Sequence, residues 1–406
     1  MTITAANLLS LKQKYILVGL LSTCAALFYI LRNIHFIGIA GAPHLDIATF
    51  YAAAEAVFTG KSSPYSLAVL ELYKPVNLAA IFPFLYLPSA LPFFWPLAGH
   101  DFQAVFHFTL YLNATLIFLL ITGMALWTLR LTSSLWAALL ITPVLTEGSR
   151  GLWATLWYGQ INALLALMLL GCLWALTCQR RITAGILLGI TITLKIYPAI
   201  LLPWLVLRRD WNTLAAAIGT VFLLAVATWI WLPHYLWSDW FSKVAVYGYG
   251  TQLPGLMPTG HWSNLGVHGV LMRSFEGGQP VAMLMYLAII IFAATGLYTA
   301  HRRPHDLTGN FASFMWLTLL LAPVTWLSHL AYMLFVPVWF LALAWNNQQY
   351  AWAAIFTAIY TVTLQLTMLD FEPGMWRQNM PATGLLALWG MMQYQLWRNE
   401  NQRSAN

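Results

Sequence analysis

Charge is what this chain has least of. Only 8% of its 406 residues are Asp, Glu, Lys or Arg, and 60% are hydrophobic, whereas roughly a quarter of a soluble domain is charged. So few charges cannot cover a water-soluble fold of this size, and a soluble protein is excluded. Cysteine is scarcer still. Cys24, Cys172 and Cys178 all lie in apolar segments with no CxxC or paired spacing, so they read as small buried hydrophobes and are silent on redox chemistry. A Walker loop and a Gly-rich strand–helix turn are missing, which excludes a nucleotide-binding domain. So are HExxH, His-x-Glu and spaced carboxylates, and no metal or other cofactor is expected. There is no tandem repeat and no soluble domain.

What is present is apolar sequence. Runs of about 18 residues or more recur from end to end, and the mean hydropathy is +0.71. The chain is therefore expected to be an all-α polytopic membrane protein. The first run, Tyr15 to Ile30, follows Lys12 and Lys14 like a secretory signal. Leu21-Ser22-Thr23-Cys24 loosely suggests a lipoprotein cleavage site, but Thr23 fits poorly and the run continues, so an uncleaved first span is expected. The net charge of +7 does not point to nucleic acid. Lys12, Lys14, Arg180, Arg181, Arg208, Arg209, Arg302, Arg303 and Arg398 sit in short links between apolar runs, the positive-inside pattern that places those links in the cytoplasm.

Threading on that rule gives about twelve spans in a plasma or inner membrane, with both termini inside. It also gives two large outer loops, at 34–78 and 233–280. Ile81 to Leu97 carries Pro83, Pro88, Pro92 and Pro96 and reads as a broken span or a hairpin. Thr146 to Gln160 reads as a polar outer turn. Only 26 residues separate Arg181 from Arg208. That is too few for two spans and too many for one straight helix of about 20 residues. Two short half-membrane helices with Lys195 and Pro198 at their apex are expected, one long tilted helix being the alternative.

Acidic residues number twelve, so their places matter. Asp46 and Glu55 lie in the first outer loop, in the run from His44 to Glu55. Asp46 falls in the first turn of a helix, where it acts either as a cap favoured by the helix dipole or as a general base. Lys195, in Thr191-Ile192-Thr193-Leu194-Lys195-Ile196-Tyr197-Pro198, is a cation within apolar sequence. Insertion there costs about 2.5 kcal/mol or more unless it snorkels to the interface or meets an anion such as phosphate. Gln160 and Asn162 put two amides where the chain returns to the membrane. Asn264, His268 and Arg273 cluster in the second outer loop, with His268 and Arg273 on different helical faces. His329 stands between two apolar runs. By the threading, all of these fall on the outer side.

In this order the motifs resemble the polyprenol-phosphate-mannose-dependent mannosyltransferases of glycosyltransferase family 87. The residues that carry the resemblance are Asp46 ahead of Gly60-Lys61-Ser62-Ser63-Pro64-Tyr65, the loose Phe82-Pro83 and Tyr86-Leu87-Pro88 match, Gly159-Gln160-x-Asn162, and Lys195-x-Tyr197-Pro198 preceded by Gly185 and Gly189. They continue with Asn264 and Arg273, then Pro323, Thr325, Trp326 and His329. Gly266, Ala322 and Ser328 depart from the pattern. The resemblance implies the C-type membrane glycosyltransferase fold and transfer of a hexose, mannose first, from a polyprenyl-phosphate donor to a lipid or glycan acceptor at the periplasmic face.

It further implies Asp46 as base, Lys195, His329 and Arg273 at the donor phosphate, and Gln160, Asn162, Tyr197, Asn264 and Glu55 toward sugar or acceptor. One base without a second carboxylate suits single-step inversion, by analogy with glycosidases. The rival classes are a transporter or flippase of lipid-linked sugars and an O-antigen ligase or polymerase. Paired inverted halves, which favour a transporter, are not seen.

Overall fold

A computed structural model describes residues 9–40, 45–76, 78, 80–146, 149–252, 254–275, 277–366 and 375–403; His44 lies outside them. Among the described residues every regular element is helical. Among those residues five helices are long and apolar enough to cross a membrane: Leu11–Ile39, Phe102–Thr132, Trp211–Trp231, Gln279–Arg302 and Leu327–Asn346. Six more apolar helices are shorter, from Leu135–Thr146 to Tyr350–Leu364. Length alone therefore marks five crossings where the threading expected about twelve.

The proline-rich stretch is broken, as expected, into Pro88–Ala90, Leu91–Phe94 and Trp95–Leu97. Each proline removes an amide donor and clashes with the preceding turn, so no helix there runs beyond four residues. Thr146 to Gln160, read as a turn, instead carries the helix Arg150–Tyr158.

The segment between the arginine pairs is a hairpin. Helix Arg181–Leu194 stops at Lys195, whose backbone is extended, and Tyr197–Ile200 and Leu201–Leu207 follow. A Cβ at Gly185 would meet the Thr213 carbonyl, and one at Gly189 the Ala217 carbonyl. Two glycines one turn apart thus let Arg181–Leu194 lie against Trp211–Trp231, the small-residue approach familiar in membranes. Because both registers rise together, the two helices run parallel. Arg181 Nε stands 3.8 Å from Asp210 Oδ1, so residues 181 and 210 share an end. The chain between them has to reverse, and it does so at Lys195–Ile200.

Two more basic residues lie at the same end. Lys14 Nζ donates to the Ser133 carbonyl at 3.4 Å, and Arg130 lies over the Trp174 ring at 4.6 Å, three residues before Thr177 closes its helix. Lys195 stands at the opposite end. So does the second outer loop, because Trp211–Trp231 begins at the arginine end and delivers the chain to residue 233 at the other. That loop holds the helices Tyr235–Lys243 and Val267–Phe275.

Candidate active site

Asp46 lies in the first turn of the helix Leu45–Ala54. Opposite it, Arg150–Tyr158 is closed by Gly159 at φ +71, a left-handed cap whose amide returns to the Thr155 carbonyl. A side chain is doubly costly there, since a Cβ would run into Ile47. This cap turns Gln160 inward, and its side chain hydrogen-bonds the Asp46 carboxylate. The Tyr86 hydroxyl reaches Gln160 Oε1 at 3.5 Å, the long limit of a hydrogen bond.

Two residues on, Asn162 opens the next helix and is fully buried. Its Oδ1 accepts from Lys195 Nζ at 3.0 Å and from the Tyr332 hydroxyl at 2.8 Å. Its Nδ2 is buried without a hydrogen-bond partner. Lys195 Nζ also meets His329 Nε2 at 2.9 Å. An ammonium has three donors, so these two bonds leave one N–H of Lys195 uncommitted. The Tyr197 ring packs edge-on against His329 with centroids 5.6 Å apart, and its hydroxyl donates to the Val324 carbonyl at 3.3 Å.

The carboxylate and the ammonium are thus each held by an amide, Asp46 by Gln160 and Lys195 by Asn162 two residues further along the chain. Half-buried in a site of so few charges, Asp46 is pushed up from its ordinary 3.8 to about 6. Burial is the main cause, and the Gln160 hydrogen bond and the charge of Lys195 work against it. Among the described residues no group of three His, Cys, Asp or Glu is placed to hold a metal.

The remaining candidates stand apart from this cluster. Glu55 accepts from the Gly99 amide at 2.6 Å and from the Thr59 hydroxyl at 2.7 Å, tying the first outer loop to the proline-rich segment. Arg273 donates to Asn379 Oδ1 at 2.7 Å and to the carbonyls of His261 and Asn264. None of these bonds reaches Lys195 or His329. Asn264 has its amide filled by backbone. Nδ2 donates to the carbonyls of Thr259 (2.9 Å) and Pro323 (3.2 Å), and Oδ1 accepts from the amides of Thr325 (2.9 Å) and Gly266 (3.4 Å). It has no capacity left for a sugar hydroxyl.

Tyr332 belongs to the cluster but went unnoticed in the sequence. Its signal was the three-residue spacing from His329, which stacks the two side chains on one face of the 3₁₀ helix Leu327–Leu334.

With this geometry in place, comparison with known proteins gives a consistent answer. The profile of glycosyltransferase family 87 matches residues 84–324. That range carries Gln160, Asn162, Lys195, Asn264 and Arg273, and leaves Asp46 and His329 outside. The chain is 25% identical over 343 residues to the polyprenol-phosphate-mannose-dependent alpha-(1-2)-phosphatidylinositol mannoside mannosyltransferase of Mycobacterium tuberculosis, covering 81% of this chain and 77% of that protein. To the protein of the same name in Mycolicibacterium smegmatis it is 26% identical over 368 residues, 82% and 79% of the two chains. An alpha-(1->3)-arabinofuranosyltransferase of Corynebacterium glutamicum is 25% identical over 283 residues, 67% and 60%. No solved structure matches the chain.

Proposed function

The chain belongs to glycosyltransferase family 87, and from that premise we propose that it moves a hexose, mannose first, from a polyprenyl-phosphate donor to a glycolipid or glycan acceptor. The reaction takes place at the outer, periplasmic face of the inner membrane and inverts the anomeric carbon. The observation that carries this reading is a single carboxylate held by Gln160 and a single ammonium held by the nearby Asn162, at the end opposite Arg181 and Asp210. By the positive-inside rule the basic links are cytoplasmic and the cluster is outside. The shorter apolar helices supply the remaining crossings of a C-type fold of about twelve spans.

Asp46 takes the proton of the acceptor hydroxyl as its oxygen attacks the anomeric carbon. A carboxylate titrating near 6 is ionised at neutral pH yet more basic than an ordinary Asp, which suits a general base. The bond from that carbon to the phosphate oxygen breaks, and its electron pair leaves with the polyprenyl phosphate. Lys195, with one N–H uncommitted and His329 beside it, meets the charge that develops there. In a dry site such preorganised donors act more strongly than in water. The unpartnered Nδ2 of Asn162 and the amide of Gln160 hold sugar hydroxyls.

The two mannosyltransferase relatives support mannose. The arabinofuranosyltransferase shows that chains this similar also handle another sugar, so the sugar has to be measured. Purified protein is offered polyprenyl-phosphate mannose, a lipid-linked pentose and a panel of lipid acceptors, and product is followed by radiolabel. We expect mannosylated lipid. Transport of intact donor across proteoliposomes without a new glycosidic bond would overturn the transferase reading in favour of a flippase.

A further inference from the structure

The turn between helix Leu307–Leu321 and the 3₁₀ helix Leu327–Leu334 is non-helical backbone beside the active site. Membrane proteins tolerate such backbone only where protein satisfies it, and here the second outer loop does so almost group by group. The Tyr249 hydroxyl donates to the Leu321 carbonyl at 2.6 Å. The Pro323 carbonyl accepts from both Asn264 Nδ2, at 3.2 Å, and His268 Nδ1, at 2.8 Å. The Thr325 amide donates to Asn264 Oδ1, and the Thr325 carbonyl accepts from the Leu265 amide at 2.9 Å.

His268 can serve this turn only as the neutral Nδ1–H form, because its Nε2 accepts from the Gly250 amide at 2.9 Å. Burial holds it below its usual range for that state, although the Pro323 bond pulls the other way. Asn264 and His268 are both buried.

Two other groups of the turn are used by the active site. The Val324 carbonyl accepts from the Tyr197 hydroxyl at 3.3 Å, and the Trp326 amide donates to His329 Nδ1 at 3.3 Å. The other ring nitrogen, Nε2, stands 2.9 Å from Lys195 Nζ. The backbone of the turn thus orients the imidazole that meets the lysine.

We infer that Asn264 and His268 are positioning residues. By clamping the turn they fix the Trp326 amide and the Val324 carbonyl, which orient His329 and Tyr197 so that Lys195 is held toward the leaving phosphate. The inference rests on the reading of Lys195 and His329 as the phosphate site. It gives the second outer loop a catalytic consequence without contact between Asn264 or His268 and substrate.

A double-mutant cycle on the full-length protein, with turnover of polyprenyl-phosphate mannose as readout, separates the alternatives. Asn264→Ala is expected to lower turnover by about 10-fold to 10²-fold, the scale of a slightly misplaced group. In a His329→Gln background the same change is expected to have little further effect, since residues acting through one another are not additive. Tyr249→Phe, which deletes one hydroxyl, repeats the cycle in milder form and serves if Asn264→Ala does not fold. Nitrogen chemical shifts of ¹⁵N-histidine protein, with His329→Gln as the assignment control, are expected to show one defined ring state of His329 in the parent and its loss in the clamp variant. Full multiplication of the two losses, or His329 shifts unchanged in the clamp variant, overturns the positioning role. Unchanged turnover in His329→Gln alone overturns instead the phosphate reading on which it stands.

Discussion

At the arginine end of the molecule, charges are many and loosely held. Arg181 is half exposed and 3.8 Å from Asp210, and Arg208 rests on the Trp204 ring at 4.9 Å. In the cluster at the other end there are two, each with defined partners: Asp46 with Gln160, Lys195 with Asn162 and His329. The difference separates two uses of charge in a membrane protein. Basic links orient the chain by their number and side, so any one of them is replaceable. A charge embedded among apolar helices is costly in itself and is retained for what it does there.

Substitution tests that contrast, and the largest effect is expected at Asp46. Asp46→Asn removes the proton acceptor at nearly constant shape, and transfer is expected to fall about 10³-fold, within the range for a positioned general base. The parent's kcat/KM is expected to rise with pH through about 6, where this carboxyl ionises. The stability sign runs opposite to activity. Because the folded-state value lies above the ordinary 3.8, the folded protein binds more protons than the unfolded chain between about 4 and 6. This group's contribution to stability is therefore full below about 4 and is lost as pH rises through 6. Thermal unfolding of Asp46→Asn across that window is expected to lack the decline. Near-normal turnover in the folded variant would reduce Asp46 to a helix cap.

Lys195→Met comes next. Loss of the ammonium is expected to lower transfer by about 10²-fold to 10³-fold, while thermal stability holds or improves because a costly membrane cation is gone. Polyprenyl phosphate should also stop stabilising the variant. An active Lys195→Met protein that the lipid phosphate still stabilises removes the distinction between the two ends. The smallest effect is expected at Arg181→Gln. Its pairing with Asp210 is long and half solvated, worth less than about 1 kcal/mol, and turnover should match the parent. A large loss of transfer there would show the basic end to be coupled to the chemistry.

Much of this was legible in the sequence because the bilayer imposes rules that act residue by residue. The scarcity of charge, the helical class and the hairpin between the arginine pairs follow from hydropathy and charge side, which need no partner to be read. Asp46, Gln160, Asn162, Lys195 and His329 were legible as polar residues that call for a reason, and in the structure Gln160 bonds Asp46 while Asn162 and His329 meet Lys195. Asn264, Arg273 and Glu55 looked alike by the same signal, and it could not separate them from the cluster. A polar side chain that serves buried backbone and one that faces a substrate carry the same residue type, and only the identity of the hydrogen-bond partner tells them apart.

By itself, then, the sequence determined an all-helical membrane chain, the side of its basic links, and the polar residues set among its apolar runs. Those properties depend on transfer between water and lipid and on local helix periodicity. Only the tertiary structure decided that Tyr332 shares Asn162 with Lys195, that Asn264 is spent on the Pro323 turn, and which nitrogen of His329 faces the lysine. Hydrogen bonds are directional and act over about 3 Å. Which of them form is set by how helices far apart in sequence pack together, and that is not written in any one segment.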